Sequence, residues 1–221
     1  DATKLPWGKL GVDVVVESTG FFTSFEKAQV HITAGAKRVV ISAPAKDEAG
    51  VAGTPVVAGE TVLMAMNEEK LATCQITSNA SCTTNAGSPL LAILDESIGI
   101  EKALLNTVHG YTASQSLVDG PNKKDFREGR AAAQNIVPSS TGAAIAVTKI
   151  MTHLKGLFDG VSMRVPVVTG SIVDVTFISK KNTTTEEVNA ILKKASADAR
   201  WKGIFIVTEE PLVSSDIIGN R

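Results

Sequence analysis

The chain has 221 residues, enough for one large domain or two modest ones. Its 22 basic and 23 acidic side chains nearly balance, which argues against a basic surface for nucleic acid, and its hydrophobic content of 43% is typical of soluble globular proteins. No uncharged apolar run approaches the ~20 residues of a membrane helix, and the first residues lack a signal peptide's apolar centre. We expect a cytoplasmic protein without nucleic-acid or membrane partners.

The first part of the sequence has the pattern of a strand, a helix and a second strand. Gly11–Ser18 and Lys37–Pro44 are short runs rich in β-branched residues, typical of parallel strands covered on both faces. Between them, Ser24–Ala34 has helical character, with Ser24 placed to cap its start and Gly35 after its end. This order predicts a βαβ unit. In sheets built from such units, ligands bind beyond the carboxyl ends of the strands.

The remaining elements change character near residue 100. The segments 101–109, 160–168 and 171–180 read as strands, and their order with the intervening helices predicts an α+β domain with a mainly antiparallel sheet. The other predicted elements are short strands at Thr61–Met66, Gln75–Ser78 and Gly203–Thr208, and helices at Ser88–Glu96, Thr141–Leu154 and Thr184–Ala199. Pro89 is expected in the first turn of its helix. Residues 111–134 form a long polar stretch, and such loops are usually functional.

Cys82 is the first candidate for chemistry. It follows a predicted strand and opens helical sequence at Thr83, and a helix start favours thiolate over thiol through its unpaired N–H groups and dipole. Neighbouring hydroxyls at Ser81 and Thr83 could bind an anion beside the sulfur. The alternative is a buried free cysteine, which position alone favours because cysteine is among the most buried residue types. The other cysteine, Cys74, has no nearby cluster of Cys or His that would indicate a metal site.

A base near Cys82 would favour the catalytic interpretation, and the chain has three histidines. His31 falls within the first predicted helix and is expected at the surface or in the core. His153 falls near a helix end, where a cation suits the dipole. His109 ends a predicted strand immediately before the long polar loop, a common place for a catalytic group. It is therefore the natural partner for Cys82, although spacing alone does not establish the pair.

At this point the residues resemble a known family. The segment Ser78-Asn79-Ala80-Ser81-Cys82-Thr83-Thr84-Asn85 is similar to the active-site signature of the glyceraldehyde-3-phosphate dehydrogenases. Further matches follow in register: Pro6-Trp7-Gly8, Glu17-Ser18-Thr19-Gly20-Phe21-Phe22, Thr107-Val108-His109-Gly110-Tyr111-Thr112, Val118-Asp119-Gly120-Pro121, Gln134-Asn135-Ile136-Val137-Pro138, Ser140-Thr141-Gly142-Ala143-Ala144, Arg164-Val165-Pro166 and Val213-Ser214-Ser215-Asp216. They cover nearly the whole chain. The segment Ala49–Glu60 matches poorly and is expected to be a variable surface loop, and Ala86 stands where the family usually has a second cysteine.

The resemblance implies a reaction and roles for two residues. Cys82 resembles the nucleophile that attacks the aldehyde of glyceraldehyde 3-phosphate, and His109 resembles the base that assists hydride transfer to NAD or NADP. Inorganic phosphate then attacks the cysteine thioester and gives 1,3-bisphosphoglycerate, a glycolytic step. The family is tetrameric, so a homotetramer is expected of the full-length protein. Erythrose-4-phosphate dehydrogenase, which shares the cysteine signature, and a non-catalytic fragment on the same scaffold remain as alternatives.

The resemblance also implies binding roles, position by position. Thr112 and Arg164 resemble ligands of the substrate's own phosphate; Ser81, Thr83, Thr141 and Gly142 resemble the site of the attacking phosphate; Thr19, Gly20 and Ser42 resemble dinucleotide contacts. Hydroxyls, helix-start N–H groups and arginine are what a phosphate needs. Taken singly, Thr141-Gly142 could be a helix cap, Arg164 a surface ion pair, and Thr112 and Ser42 turn residues.

The implied domains are the second half of a dinucleotide-binding domain at 1–79 and a catalytic domain at 80–221, incomplete at its C-terminal end. The fold class is α/β, a partial Rossmann-type parallel sheet followed by the α+β catalytic domain. The glycine-rich turn that cradles the pyrophosphate and the acidic residue that reads the ribose are absent, so NAD and NADP are not distinguished. The chain also lacks a starting methionine, and we expect it to be truncated and to bind a dinucleotide poorly or not at all by itself.

Overall fold

The computed structural model describes residues 1–46 and 58–220, so most of the expected surface loop at Ala49–Glu60 lies outside the described residues. The chain divides into two compact units, Asp1–Asn85 and Ala86–Arg221. Neither result tests the predicted domain boundary between residues 79 and 80, which stays a prediction.

The first unit is a parallel four-stranded sheet in the order β1-β2-β4-β3. Its elements are α1 (Trp7–Leu10), β1 (Val14–Glu17), α2 (Phe25–Thr33), β2 (Arg38–Ile41), β3 (Gly59–Thr61) and β4 (Ile76–Ser78). The βαβ unit predicted from the sequence is thus β1, α2 and β2, and the parallel sheet is confirmed. Its small core joins Ala28 of α2 to Val39, Ile41 and Ile76 of the sheet.

Local sequence explains where α2 begins and ends. The Ser24 hydroxyl accepts a hydrogen bond from the Lys27 N–H at 3.2 Å, which satisfies one of the free donors of the first turn. At the other end Gly35 adopts a φ of +103°, which an L side chain rarely tolerates. A β-carbon there would also lie 2.5 Å from the Gly8 Cα, so this glycine lets α1 lie directly against the end of α2.

The predicted strand at Thr61–Met66 is wrong, because β3 ends at Thr61. The Asn67 side chain closes a turn in its place: its carbonyl oxygen accepts from the Leu63 N–H at 2.9 Å, and its amide donates to the Thr61 carbonyl at 2.9 Å. Ala65 in this turn has a φ of +61°, which a strand does not allow. The hydrogen bonds from Asn67 to the backbone therefore end the strand, although the segment is rich in apolar residues.

The second unit contains a mixed sheet in the order β6-β7-β5-β8. Its elements are α3 (Cys82–Ile98), which starts within the first unit, β5 (Ile100–Gly110), β6 (Val137–Ser140), α4 (Ala143–Ile150), β7 (Phe158–Val165), β8 (Ser171–Ser179) and α5 (Thr185–Ser196). Two of its three pairings are antiparallel, β5 with β8 and β6 with β7, and one is parallel, β5 with β7. The mainly antiparallel sheet predicted for this region is therefore confirmed.

One face of this sheet carries the core. A β-carbon on Gly87 of α3 would lie 3.0 Å from the Leu105 side chain of β5, so the helix packs closely on the strand. The opposite face leaves apolar side chains exposed, for example Leu104 and Ile172. Among the described residues, the structure contains no helix long and apolar enough to cross a membrane.

Three details of the second unit differ from the sequence predictions. Pro89 lies well inside α3 rather than in its first turn, because the helix starts at Cys82. The predicted helix Thr141–Leu154 is shorter, with α4 ending at Ile150 and a 3₁₀ turn at Thr152–Leu154. The segment 203–208 is not a strand, and β6 was missed because Pro138 interrupts a short apolar run.

Candidate active site

The carboxyl ends of β1, β2 and β4 lie at one edge of the first unit's sheet, because these strands are parallel neighbours. Thr19 and Gly20 follow β1, and Ser42 follows β2. Cys82 comes four residues after the end of β4 and is the first residue of α3. The structure therefore places four of the predicted site residues beyond the same sheet edge, where open α/β sheets bind their ligands.

The turn that leads to Cys82 is tightly built. The Ser81 hydroxyl accepts from the Thr84 N–H at 3.0 Å, as an N-capping side chain does, and lies 2.7 Å from the Thr84 hydroxyl. Ala80 has a φ of +56°, a left-handed conformation that costs an alanine roughly 1–2 kcal/mol. The Ser78 hydroxyl accepts from the Ala80 N–H at 3.1 Å and helps to hold this conformation. Such strain is often found at functional sites.

The two thiols differ in access. Cys82 is exposed at the N-terminus of a helix of 17 residues, whereas Cys74 is buried. The exposed sulfur thus lies where the helix dipole and the first-turn N–H groups stabilise a negative charge. The Thr83 side chain is buried beside it, and Ser81 is half-buried. This arrangement suits a nucleophilic thiolate with a nearby place for an anion.

The turn after β1 is held by the Glu17 carboxylate. Its Oε1 accepts from the Thr19 N–H at 2.7 Å and also from the Thr19 hydroxyl, which in turn accepts from the Phe21 N–H at 3.2 Å. Gly20 completes the turn with a φ of +78°. Burial by itself would raise the pKa of Glu17, but the hydrogen bonds from Thr19 and His31 lower the pKa below its ordinary value.

Ser42 is tied to the same edge. Its N–H and its hydroxyl both donate to the Glu17 carbonyl, at 3.0 and 3.2 Å, and its hydroxyl lies 3.1 Å from that of Ser18. The edge thus carries small hydroxyls and a glycine with no atoms within 4 Å of where a β-carbon would lie. Those features fit a nucleotide lying across the strand ends, although the chain carries no glycine-rich turn of the kind that cradles a pyrophosphate.

In the second unit, His109 and Arg164 are register partners near the carboxyl ends of the parallel strands β5 and β7. The Nδ1–H of His109 donates to the Gly110 carbonyl at 2.7 Å, which assigns the neutral ring its basic lone pair on Nε2. That nitrogen is the one able to take a proton from a substrate. The histidine is half-buried, as a general base in a cleft would be.

Gly110 fixes this strand end. Its N–H donates to the Gly170 carbonyl at 3.0 Å, and a β-carbon on it would lie 2.6 Å from the Val167 carbonyl oxygen. The connection between β7 and β8 therefore packs directly on the backbone after His109. Any larger residue would push the two apart, so glycine is required for the close approach.

Thr112 lies in the first turn after β5, and its surroundings reveal a residue that the sequence analysis missed. Its hydroxyl is 3.1 Å from that of Ser114, so an anion bound by one hydroxyl would also meet the other. Its N–H donates to the Gln115 side-chain carbonyl at 3.2 Å. The spacing Thr-x-Ser after a strand end was the available signal for Ser114.

Buried donors without partners mark the same region. The Nε of Arg164 and the amide nitrogen of Gln115 are both buried and have no hydrogen-bond partner among the described residues. Buried polar groups are nearly always paired, so unpaired donors of this kind indicate a ligand with acceptor oxygens. The alternative of a surface ion pair for Arg164 is not supported, because no ion pair of Arg164 is found among the described residues.

Thr141 and Gly142 lie at the start of α4, away from this group. The Thr141 hydroxyl accepts from the Ala143 N–H at 3.1 Å, so the helix-cap alternative applies to it. Ser140, just before it, pairs with Val161, three residues before Arg164 on β7, which corresponds to roughly 10 Å along the strand. Within the second unit, the structure places Arg164 beside His109, with Thr112 three residues further along the chain, and leaves the α4 start separate.

The other two histidines have different environments. His31 is buried in the first unit and hydrogen-bonds to Glu17 and Trp7. His153 is half-exposed in a 3₁₀ turn, and its Nε2 lies 2.8 Å from the Asp95 Oδ2. The described residues contain no cluster of His, Cys, Asp or Glu that could hold a metal ion.

Comparison with known proteins gives one consistent result. A family profile described as the C-terminal domain of glyceraldehyde 3-phosphate dehydrogenase matches residues 81–221. The chain is 49% identical over 218 residues to a protein named glyceraldehyde-3-phosphate dehydrogenase from Streptomyces coelicolor, which covers 98% of this chain and 62% of that protein. Proteins of the same name from Mycobacterium avium and Clostridium pasteurianum are 52% and 47% identical, over 97% and 99% of the chain.

The matched relatives are longer than this chain. The alignments cover 60% and 62% of the Mycobacterium and Clostridium proteins, so the chain spans about three fifths of the length of these relatives. Matches at this level of identity extend over both structural units.

Proposed function

Since the chain belongs to the glyceraldehyde-3-phosphate dehydrogenase family, we propose that it provides the acyl-transfer site of a phosphorylating glyceraldehyde-3-phosphate dehydrogenase of glycolysis. One observation supports this most strongly: Cys82 is an exposed thiol at the start of a long helix, beyond the carboxyl edge of a parallel sheet. We propose the dinucleotide-binding region at 1–79 and the catalytic region at 80–221.

Cys82 and His109 are the proposed catalytic residues. The Cys82 sulfur adds to the aldehyde carbon of glyceraldehyde 3-phosphate, and a hemithioacetal forms. The His109 Nε2 takes the proton from its hydroxyl as the hydride leaves, so the carbon is oxidised to a thioester on Cys82. Inorganic phosphate then attacks the thioester carbon, the C–S bond breaks, and 1,3-bisphosphoglycerate departs with the Cys82 thiolate restored. A bound nicotinamide dinucleotide, NAD or NADP, would accept the hydride.

The proposed binding roles follow the chemistry of each residue. Arg164 and Thr112 bind the substrate's own phosphate, with Ser114 beside Thr112. Ser81, Thr83, Thr141 and Gly142 contribute hydroxyls and a helix start to the attacking phosphate. Thr19, Gly20 and Ser42 contact the dinucleotide at the sheet edge. The assembled full-length protein is proposed to be a homotetramer.

Acylation of Cys82 by 1,3-bisphosphoglycerate tests the site without a dinucleotide. In this reverse half-reaction the thiolate attacks the acyl phosphate, forms the thioester and releases inorganic phosphate. Intact-mass measurement and peptide mapping should place the acyl group on Cys82 alone. Cys82→Ser should abolish it, whereas Cys74→Ser, which removes the buried thiol, should leave it unchanged. Failure of Cys82 to acylate, or equal labelling of both thiols, would contradict the proposal.

A second assay distinguishes the substrates. NADH formation is measured with glyceraldehyde 3-phosphate or erythrose 4-phosphate, with and without inorganic phosphate. Phosphate-dependent turnover that favours glyceraldehyde 3-phosphate is expected wherever a dinucleotide binds. Preference for erythrose 4-phosphate would support the related dehydrogenase, and acylation without any turnover would indicate that the chain lacks an effective dinucleotide site.

A further inference from the structure

Four hydrogen bonds link Trp7 in α1 to the turn after β1. The Trp7 indole N–H donates to the His31 Nδ1 at 3.2 Å, and the His31 Nε2 is 2.7 Å from the Glu17 Oε2. The other carboxylate oxygen of Glu17 accepts from the Thr19 N–H at 2.7 Å and from the Thr19 hydroxyl. We call this the Trp7–Thr19 chain. All of its members lie in the first structural unit.

The chemistry of the donors fixes the direction of the chain. An indole nitrogen can only donate, so the His31 Nδ1 must accept and carries no proton. The neutral ring then has its proton on Nε2, and that N–H donates to Glu17. A carboxylate accepts only, which agrees with donation from both His31 and Thr19. Trp7 therefore selects the one neutral tautomer of His31 that can hold Glu17.

The chain is enclosed. Glu17 and His31 are 3% and 4% exposed, and the Phe22 ring lies edge-on to the imidazole at a centroid distance of 5.5 Å. The groups recorded against His31 are Trp7 from α1, Glu17 from β1 and Phe22 from the following turn, and among these described residues only Glu17 is ionisable. A buried carboxylate needs its hydrogen bonds, so a change at His31 acts directly on Glu17.

Glu17 passes that constraint to the edge of the sheet. The Thr19 hydroxyl that donates to Glu17 also accepts from the Phe21 N–H at 3.2 Å, so it sets the path of the turn through Gly20. The Glu17 carbonyl holds Ser42 through two further hydrogen bonds. A single residue thus anchors both strand ends that carry Thr19, Gly20 and Ser42.

We propose that His31 is a positioning residue for the dinucleotide site: through the tautomer selected by Trp7, it orients Glu17 so that the Thr19–Phe21 turn keeps its ligand-binding shape. This role rests on the dinucleotide site proposed above.

Amide hydrogen exchange measured by NMR on the 221-residue chain tests the positioning role. In His31→Phe, which keeps an aromatic ring, the Thr19 and Phe21 amides should exchange about tenfold faster relative to the Val39 amide of β2, the effect of losing one buried hydrogen bond. His153→Phe removes a histidine of the second unit and should leave that ratio unchanged. Equal acceleration of all three amides would reduce His31 to a general structural residue and overturn the proposal.

Trp7→Phe provides a second variant that removes the indole N–H and keeps a six-membered aromatic ring. It should speed exchange at the same two amides by a few-fold, since the tautomer is no longer selected. Thr19 and Phe21 amides that exchange at the unmodified rate in Trp7→Phe would contradict the selection of the His31 tautomer by Trp7.

Titration with NAD separates this inference from the proposed function. Binding at the sheet edge should shift the Gly20 and Ser42 amide resonances, and the dissociation constant should rise about tenfold in His31→Phe but not in His153→Phe. If NAD shifts other amides of the chain but neither of these two, the dinucleotide assignment fails, and the exchange ratios still decide whether His31 positions the turn. An NAD affinity unchanged in His31→Phe would overturn the positioning role.

Discussion

The two units treat their buried polar groups differently. In the first unit, Glu17 and His31 lie in the interior with their hydrogen-bonding capacity used, and the buried Ser78 hydroxyl donates to the Ala43 carbonyl at 2.7 Å. All five buried side-chain atoms without a partner among the described residues lie in the second unit: Ser88 Oγ, Asn106 Oδ1, Thr107 Oγ1, Gln115 Nε2 and Arg164 Nε.

This difference separates two uses of buried polarity. A fully paired group such as Glu17 holds the backbone in one shape and can transmit a change from one element to another. An unpaired donor such as the Arg164 Nε makes no internal hydrogen bond, so it does not stabilise the fold. A ligand can accept that hydrogen bond instead. Paired groups should therefore be important for stability, and unpaired groups near the strand ends for binding.

The largest effect on stability is expected at Glu17. Glu17→Gln keeps the shape but loses the charge and faces the His31 N–H with an amide N–H, so the free energy of unfolding of the first unit should fall by about 3 kcal/mol at neutral pH. Urea denaturation followed at the Val39 amide measures it. Glu26→Gln, an exposed change in the first turn of α2, is the control and should cost less than about 1 kcal/mol.

The same pair gives a pH dependence. The pKa of Glu17 is lower in the folded chain than its ordinary value of 4.5, since hydrogen bonds from Thr19 and His31 outweigh the opposing effect of burial. The unfolded state then binds the proton more readily, so this stabilisation is complete above pH 4.5 and is lost as the pH falls through the lower folded pKa. Glu17→Gln should have a shallower acid limb than Glu26→Gln. Identical acid limbs would show that Glu17 is not held as a paired carboxylate.

Arg164 should show the opposite behaviour. Arg164→Met preserves much of the side-chain length and removes the charge, so acylation of Cys82 by 1,3-bisphosphoglycerate should slow by roughly 10–100-fold, the loss of a charge-assisted bond to phosphate. The free energy of unfolding should change by less than about 1 kcal/mol, because no internal partner of the buried Nε is lost. Arg127→Met, which removes an exposed ion pair with Asp125, is the matched control and should leave acylation unchanged. A large loss of stability in Arg164→Met without slower acylation would assign the arginine to the core.

Much of the fold of the first unit could be predicted from the sequence. The β1–α2–β2 unit carries continuous apolar strands, a serine cap and a terminal glycine, and these local signals agree with one another. The exposed thiol at the start of α3 was also expected from its position. The wrong predictions occur where side chains hydrogen-bond to the backbone. Asn67 ends the strand predicted after Thr61 through such hydrogen bonds, which the pattern of apolar residues does not indicate.

The polar interior was less predictable. His31 fell within an amphipathic helix and gave no sign of its partners, because Trp7 and Glu17 are 24 and 14 residues away in the sequence. Ser114 was missed because its relation to Thr112 depends on the turn after β5. Whether Arg164 has a partner could not be predicted, because this depends on how the whole sheet is assembled around it. Motifs identify the residue types for chemistry, whereas whether a buried polar group is paired depends on the folded structure.

The smallest effect gives the most direct test of the difference between the units. Thr84 in the first and Thr107 in the second are 0% and 1% exposed, but the Thr84 hydroxyl lies 2.7 Å from that of Ser81, whereas the Thr107 hydroxyl has no partner among the described residues. Thr84→Val should cost about 1–2 kcal/mol in urea denaturation, since it also leaves Ser81 with one bond fewer. Thr107→Val removes an unsatisfied hydroxyl from a strand and should be neutral or stabilising by up to about 1 kcal/mol. Equal costs for the two variants would mean that Thr107 is paired in solution, and the contrast between a fully paired and a partly unpaired interior would then fail at its simplest position.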